Sequence, residues 1–214
     1  MAAAALLAAR ADVMATDKHG STPLHWACKA GSYELVGLLL GARALVDAPT
    51  QTGSRALHLA CEASAPKCVA MLLRARASCS TADGHGICPL HAASATGSVD
   101  SVRLLLAEGA AVNTQLHIDG QHSLSSLAEA HTKSPLYLAA EKGHAAVTTV
   151  LLEARADPAI LARVVTEQTT TVTSALWAAR RGKHAQVVEL LLAVDAPEVA
   201  EMVDKASSEG GQVV

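Results

Sequence analysis

The chain has 214 residues and carries 17 Lys and Arg against 20 Asp and Glu, a formal net charge of −3, so as a whole it exerts no pull on nucleic acid. Half of its residues are hydrophobic, yet it has no Phe and only two Trp and two Tyr; the apolar mass is Ala, Leu and Val, which suits thin, closely packed helices and leaves few platforms for stacking bases. No run of 18 or more residues is free of charged and polar side chains, so no segment reads as a membrane span.

Residues 1–16 supply one apolar helix, ALLAA, and its exit, ARADVMAT. The opening lacks the basic start of a secretory signal, and Leu6-Leu7 falls in frame with Leu39-Leu40, so this stretch reads as part of a repeat. A stack of repeats ordinarily ends in a polar cap. Here the end is nearly bare alanine, and a piece of a longer chain is expected in preference to a minimal cap at Ala2–Ala9.

From there the pattern is periodic. Gly20, Gly53 and Gly86 recur at 33 residues, as do Leu24-His25, Leu57-His58 and Leu90-His91, and the Leu pairs ending at Leu7, Leu40, Leu73 and Leu106. Several columns sharing one period mean stacked repeats, here over 17–49, 50–82 and 83–115. Each opens with a polar turn. A first helix then starts at Pro23, Ala56 or Pro89, where Pro is tolerated because its missing N–H would be unpaired anyway. Gly31 and Gly97 are placed to end these helices in a left-handed conformation, with Ser64 in that position in the second repeat. The second helices read YELVGLLL, PKCVAMLL and VDSVRLLL, each with one apolar face.

The frame then slips. Leu90 to Leu136 is 46 residues, which predicts an insertion over 116–133 with a turn at Asp119-Gly120 and a short helix near Leu124–Ala130. A fourth repeat covers 134–158. A second insertion, 159–173, is rich in β-branched residues and is expected to form a hairpin from about Val164 to Thr173. The last repeat, 174–193, reads as irregular, lacking one residue after Trp177 and gaining one near Lys183. Residues 194–206 predict a capping helix with Asp195 as N-cap, Pro197 in its first turn and Val199, Met202 and Val203 on its apolar face. Residues 207–214 are expected to be disordered.

Residues 20–40, GSTPLHWACKAGSYELVGLLL, and 86–106, GICPLHAASATGSVDSVRLLL, resemble the ankyrin repeat, whose signature is T-P-L-H-x-A in a 33-residue unit of a β-turn and two helices. The resemblance covers roughly residues 5–193. It implies an all-α solenoid of helix-turn-helix units with short β-turn fingers. About five repeats are expected in one domain, 1–206, the first incomplete and the last degenerate. It also implies protein binding without catalysis.

Several columns carry residue types capable of chemistry. His25, His58 and His91 share one column, followed by Tyr137, but helices stacked about 8–10 Å apart hold such side chains too far apart for one metal ion. The family implies a ring that hydrogen-bonds backbone and ties neighbouring turns. The five cysteines are odd in number and occupy mostly core-type positions, with Cys28, Cys61, Ser94 and Ala140 in one small-residue column. This predicts free thiols and a reducing intracellular setting, cytoplasmic or nuclear. His117, His122 and His131 read as solvated loop residues. No catalytic, phosphate-binding or zinc signature is present, so neither an enzyme nor a cofactor is expected.

Arg10, Arg43, Arg76 and Arg155 each follow a second helix by three residues, where the family generally has Gly and where repeat three has Gly109. A cation at a helix C-terminus recovers about 0.3–1 kcal/mol; the other reading is a row of charges for an acidic partner. In this family the finger tips and outward first-helix positions line one concave face. By column these are Lys18, His19, Gln51, Thr52 and His85 at the tips, and Trp26, Lys29, Leu59 and Glu62 on the helices, with Trp26 the leading anchor. Asn113, at the end of LLLAEGAAVN, resembles the site of ankyrin asparaginyl hydroxylation. The expected function is a monomeric scaffold or adaptor binding another protein, with no nucleic-acid partner. The alternative is a regulatory or targeting segment of a larger enzyme, channel or ubiquitin-ligase adaptor, which further in-frame repeats or a catalytic domain upstream of Met1 would favour.

Overall fold

A repeated helix pair is the building block, and the computed structural model describes it over residues 12–116, 132–165 and 170–194. The predicted helix in residues 1–10, the Asp119-Gly120 turn, the helix near Leu124–Ala130, the loop histidines His117, His122 and His131, the capping helix after Asp195 and the tail all lie outside the described residues.

Two compact units divide the chain, Met1–Ala111 and Val112–Val214. The boundary falls just ahead of the insertion that breaks the 33-residue frame; the repeat pattern alone, running through residues 1–206, draws no boundary there.

In the first unit, α1 (Pro23–Lys29) pairs with α2 (Tyr33–Gly41), α3 (Ala56–Glu62) with α4 (Pro66–Arg74), and α5 (Pro89–Thr96) with α6 (Val99–Ala107). First helices stack on first helices and second on second. The contact faces carry the columns of the sequence: Leu24, Leu57 and Leu90 are almost fully buried, as are Val36, Val69 and Val102. Thr96 Oγ1 reaches across the stack to the carbonyl of Cys61 at 3.1 Å.

Polar turns join the pairs into fingers. Gly20, Gly53 and Gly86 take φ of 76°, 73° and 75°, each donating its N–H three residues back, to Asp17, Thr50 and Asp83. Successive fingers lie close enough for main-chain bonds, Gln51 N–H to His19 C=O at 3.0 Å and Gly84 N–H to Thr52 C=O at 2.8 Å. A Cβ on Gly84 would fall 2.7 Å from that Thr52 oxygen, so the stacked fingers require glycine there.

The second unit holds α7 (Pro135–Lys142) and α8 (Ala145–Glu153), a hairpin, and α9 (Ala175–Arg181) and α10 (Ala185–Val194). The ends of the 117–131 stretch are tied by Leu116 N–H donating to Lys133 C=O at 3.0 Å. The hairpin strands β1 (Ala162–Val165) and β2 (Thr170–Thr173) pair antiparallel, Ala162 opposite Thr173, beginning two residues ahead of the expected start. Ala162 joins Tyr137, Ala178 and Trp177 in a small core, and Thr173 Oγ1 donates to the Tyr137 hydroxyl at 3.2 Å.

The last repeat is regular, which corrects the expected irregularity. The left-handed residue follows the first position of the first helix by eight residues throughout: Pro23 and Gly31, Ala56 and Ser64, Pro89 and Gly97, Pro135 and Gly143, Ala175 and Lys183. No residue is missing after Trp177 and none is gained near Lys183. The pattern misleads because Gly182, one position early, has the residue type of the column. It lies at φ −74°, and Lys183 takes the left-handed turn at φ 59°.

Candidate functional site

The finger at Asp17 positions the first of the predicted tip and helix residues. One carboxylate oxygen, Oδ1, accepts the N–H groups of His19 and Ser21, both at 2.8 Å, and closes the turn. The other, Oδ2, accepts the indole N–H of Trp26 at 3.2 Å. The Ser21 N–H above all holds this carboxyl below its ordinary value; burial opposes it, and the His19 N–H and the Trp26 indole add to the lowering. Trp26 is 52% exposed, and the Lys29 ammonium lies 5.2 Å from its ring centre, within cation–π range. The indole is thus held by hydrogen bond at one edge and by a cation over one face.

Beside it opens a hollow of about 250 Å³ whose wall includes His19, Trp26, Lys29, Gln51, Thr52 and Leu59. Six of the nine predicted residues meet around it. Lys18, Glu62 and His85 are exposed outside that wall. Burial pushes the Glu62 carboxyl up, Asp83 pushes it further, and Lys29 opposes both, so the opposite charges of Lys29 and Glu62 sense each other across adjacent first helices.

Burial corrects the expected outward face of the first helices. The Trp26 column does not face outward throughout: Leu59 is half-buried and Ala92 is buried. Asp17, which holds the Trp26 indole, is not among the predicted site residues, although its column is visible in the sequence: Asp83 occupies the same position two repeats on and accepts from His85 and Ile87 in the same way.

The column histidines and most of the cysteines are buried in the repeat core. His25, His58 and His91 are buried, and each ring accepts a main-chain N–H at Nδ1, from Thr22, Arg55 and Cys88. That leaves the hydrogen on Nε2, and His58 donates it to the Ile87 carbonyl of the next finger at 2.9 Å. Burial lowers the pKa of His25 and His58. Cys28, Cys61, Cys68 and Cys88 are buried free thiols and Cys79 is half-buried; burial pushes Cys28 up to about 12 and Cys61 higher still. Among the described residues, no group of three or more His, Cys, Asp or Glu is arranged to hold a metal. Arg43, Arg76 and Arg155 adopt φ of 65°, 67° and 64°, the left-handed region that Gly109 also takes in the third repeat; Arg10 lies outside the described residues. Asn113 is exposed, with its Oδ1 accepting from Asp157 N–H at 2.9 Å.

Models of ankyrin repeats match the chain in three overlapping stretches, residues 2–83, 43–116 and 78–162. The chain belongs to the ankyrin-repeat family. The pair α9 and α10 lies beyond residue 162 yet keeps the ankyrin interval between helix start and left-handed residue. A search of curated proteins finds no match. Ankyrin repeats are generally protein–protein interaction modules and are typically non-catalytic. Among the described residues, no helix of this ankyrin chain is long and apolar enough to cross a membrane.

Proposed function

We propose that this ankyrin-repeat chain is a protein-binding scaffold or adaptor, acting as a monomer inside the cell, in cytoplasm or nucleus. Its partner docks on the fingers and first helices of the first unit, with one apolar side chain seated between Trp26 and Leu59. The observation that carries this reading is the state of Trp26, half-exposed yet held by Asp17 and Lys29. A large aromatic fixed before binding loses little entropy on association and is the usual kind of hot spot. Lys18, Gln51, Thr52, Glu62 and His85 then serve as the polar rim. The buried free cysteines support a reducing compartment.

The test begins with affinity capture using the full chain, followed by calorimetric titration of the captured partner. Trp26→Ala should weaken binding by about 2 kcal/mol or more while leaving the urea midpoint nearly unchanged. Unchanged affinity, or loss of folding in the variant, would remove Trp26 from the binding face.

A modification site is proposed as well, at Asn113. It is exposed and lies in the stretch that resembles hydroxylated ankyrin repeats. A hydroxylase has to break its bond to Asp157 to take the side chain. Incubation with an asparaginyl hydroxylase should add one oxygen to the intact mass; no change in mass would end the idea.

A further inference from the structure

We propose that Arg43 and Arg76 form a second docking strip on the first unit, one that takes an extended acidic segment of a partner protein. Neither residue lines the hollow beside Trp26. Both follow the C-terminal end of a second helix, α2 and α4, and both are exposed.

Three observations point the same way. The two arginines occupy equivalent positions of adjacent repeats, each with its N–H bonded to the helix carbonyl three residues back, Leu40 and Leu73, so the backbone presents both side chains from the same local geometry. Both are held at positive φ, where glycine fits without strain and where Gly109 stands in the third repeat. The charges are also unspent. The carboxylate four residues beyond Arg43, Asp47, turns both oxygens to the main-chain N–H of Ser78 at 3.2 Å. No ion pair joins Arg43 or Arg76 to any described residue. A chain that is negative overall therefore carries two guanidinium groups at equivalent positions, neither in an ion pair with a described residue.

Guanidinium matches carboxylate in a bidentate, planar contact. Stacked helices lie about 8–10 Å apart, and an extended polyproline II segment advances about 3.1 Å per residue at three residues per turn. Two carboxylates three residues apart on such a segment share one face at about that spacing. The net negative charge of the chain disfavours nucleic acid as the occupant.

The probe is a labelled Gly/Ser peptide with Glu at positions i and i+3, titrated against the full chain by fluorescence anisotropy at low salt. The controls are the same peptide with Gln in place of Glu, and single-stranded polyuridine. Arg43→Gly with Arg76→Gly should weaken binding of the Glu peptide about tenfold, while Arg43→Lys with Arg76→Lys should keep part of it. Because glycine suits positive φ, the double Gly variant should melt no lower than the parent, so lost binding is not lost folding. Trp26→Ala should leave this affinity unchanged, which separates the strip from the site beside Trp26. Equal binding by the Gln peptide, equal binding by the double Gly variant, tighter binding of polyuridine, or no saturation of the parent by about 1 mM peptide would each overturn the proposal.

Discussion

Asn113 Oδ1 accepts the main-chain N–H of Asp157 at 2.9 Å, 44 residues along the chain. In the first unit Asp47 makes the corresponding contact to the N–H of Ser78, 31 residues along. The two intervals differ by the 13 residues inserted before the fourth repeat. The same side chain-to-backbone tie is therefore kept within each unit, and the insertion is accommodated between its ends. Asn113→Ala removes the acceptor and should lower the stability of the second unit by about 1 kcal/mol. Urea unfolding with and without the substitution measures this, and an unchanged midpoint would show that water replaces the bond at no cost.

Leu57 is 1% exposed in the middle of the first stack. Leu57→Ala should cost about 2–5 kcal/mol, the sum of lost burial and the cavity left behind. A circular-dichroism melt with no loss of stability would mean that the register of the repeats is wrong.

Gly182 sits at an ordinary right-handed φ of −74°, so its backbone tolerates any side chain. The obstacle is His184. A Cβ on Gly182 would overlap Nε2 of that ring, and a Cβ on Gly143 would overlap Nδ1, while Nε2 also contacts the Glu141 carbonyl at 3.1 Å. Gly182→Ala should therefore destabilise by about 1–3 kcal/mol through overpacking. Adding His184→Ala should return much of the loss, a coupling that a double-mutant cycle measures. A stabilising Gly182→Ala, as at a free helical glycine, would place the ring elsewhere.

Stability should depend on pH through His25 and His58. Burial lowers both pKa values from 6.5, so below that pH the unfolded chain takes up protons that the folded chain refuses. Their contribution is fully present above 6.5 and is lost as pH falls through the folded values. Glu62, raised from 4.5, acts in the opposite sense at lower pH. The urea midpoint should drop between about pH 7.5 and pH 5, and His58→Gln should flatten the drop. A midpoint that holds or rises over that range would show the rings to be charged when folded.

Much of this fold was legible because ankyrin repeats are made of local, repeated constraints. The start at Pro23, Ala56 or Pro89, the buried Leu24, Leu57 and Leu90, and the left-handed turns at Gly31, Gly97 and Arg43 each depend on residues a few positions away. The 33-residue period then states the constraint again in the next unit. The hairpin followed from the β-branched run, though its pairing begins at Ala162, where burial beside Tyr137 favours the earlier start.

What the sequence alone determined was the family, the helix pairs and the columns that face the core. Only the tertiary structure decided the condition of each member of a column. Trp26 stands out while Ala92 is buried, because their neighbours differ while their positions are equivalent. Asp17 serves Trp26 because folding of the finger brings a carboxylate nine residues back onto the indole. Lys183, not Gly182, makes the last left-handed turn, because the spacing between packed helices outweighs the conformational preference of one residue. Periodicity records what every repeat must share, and a binding surface is made of what each repeat does differently.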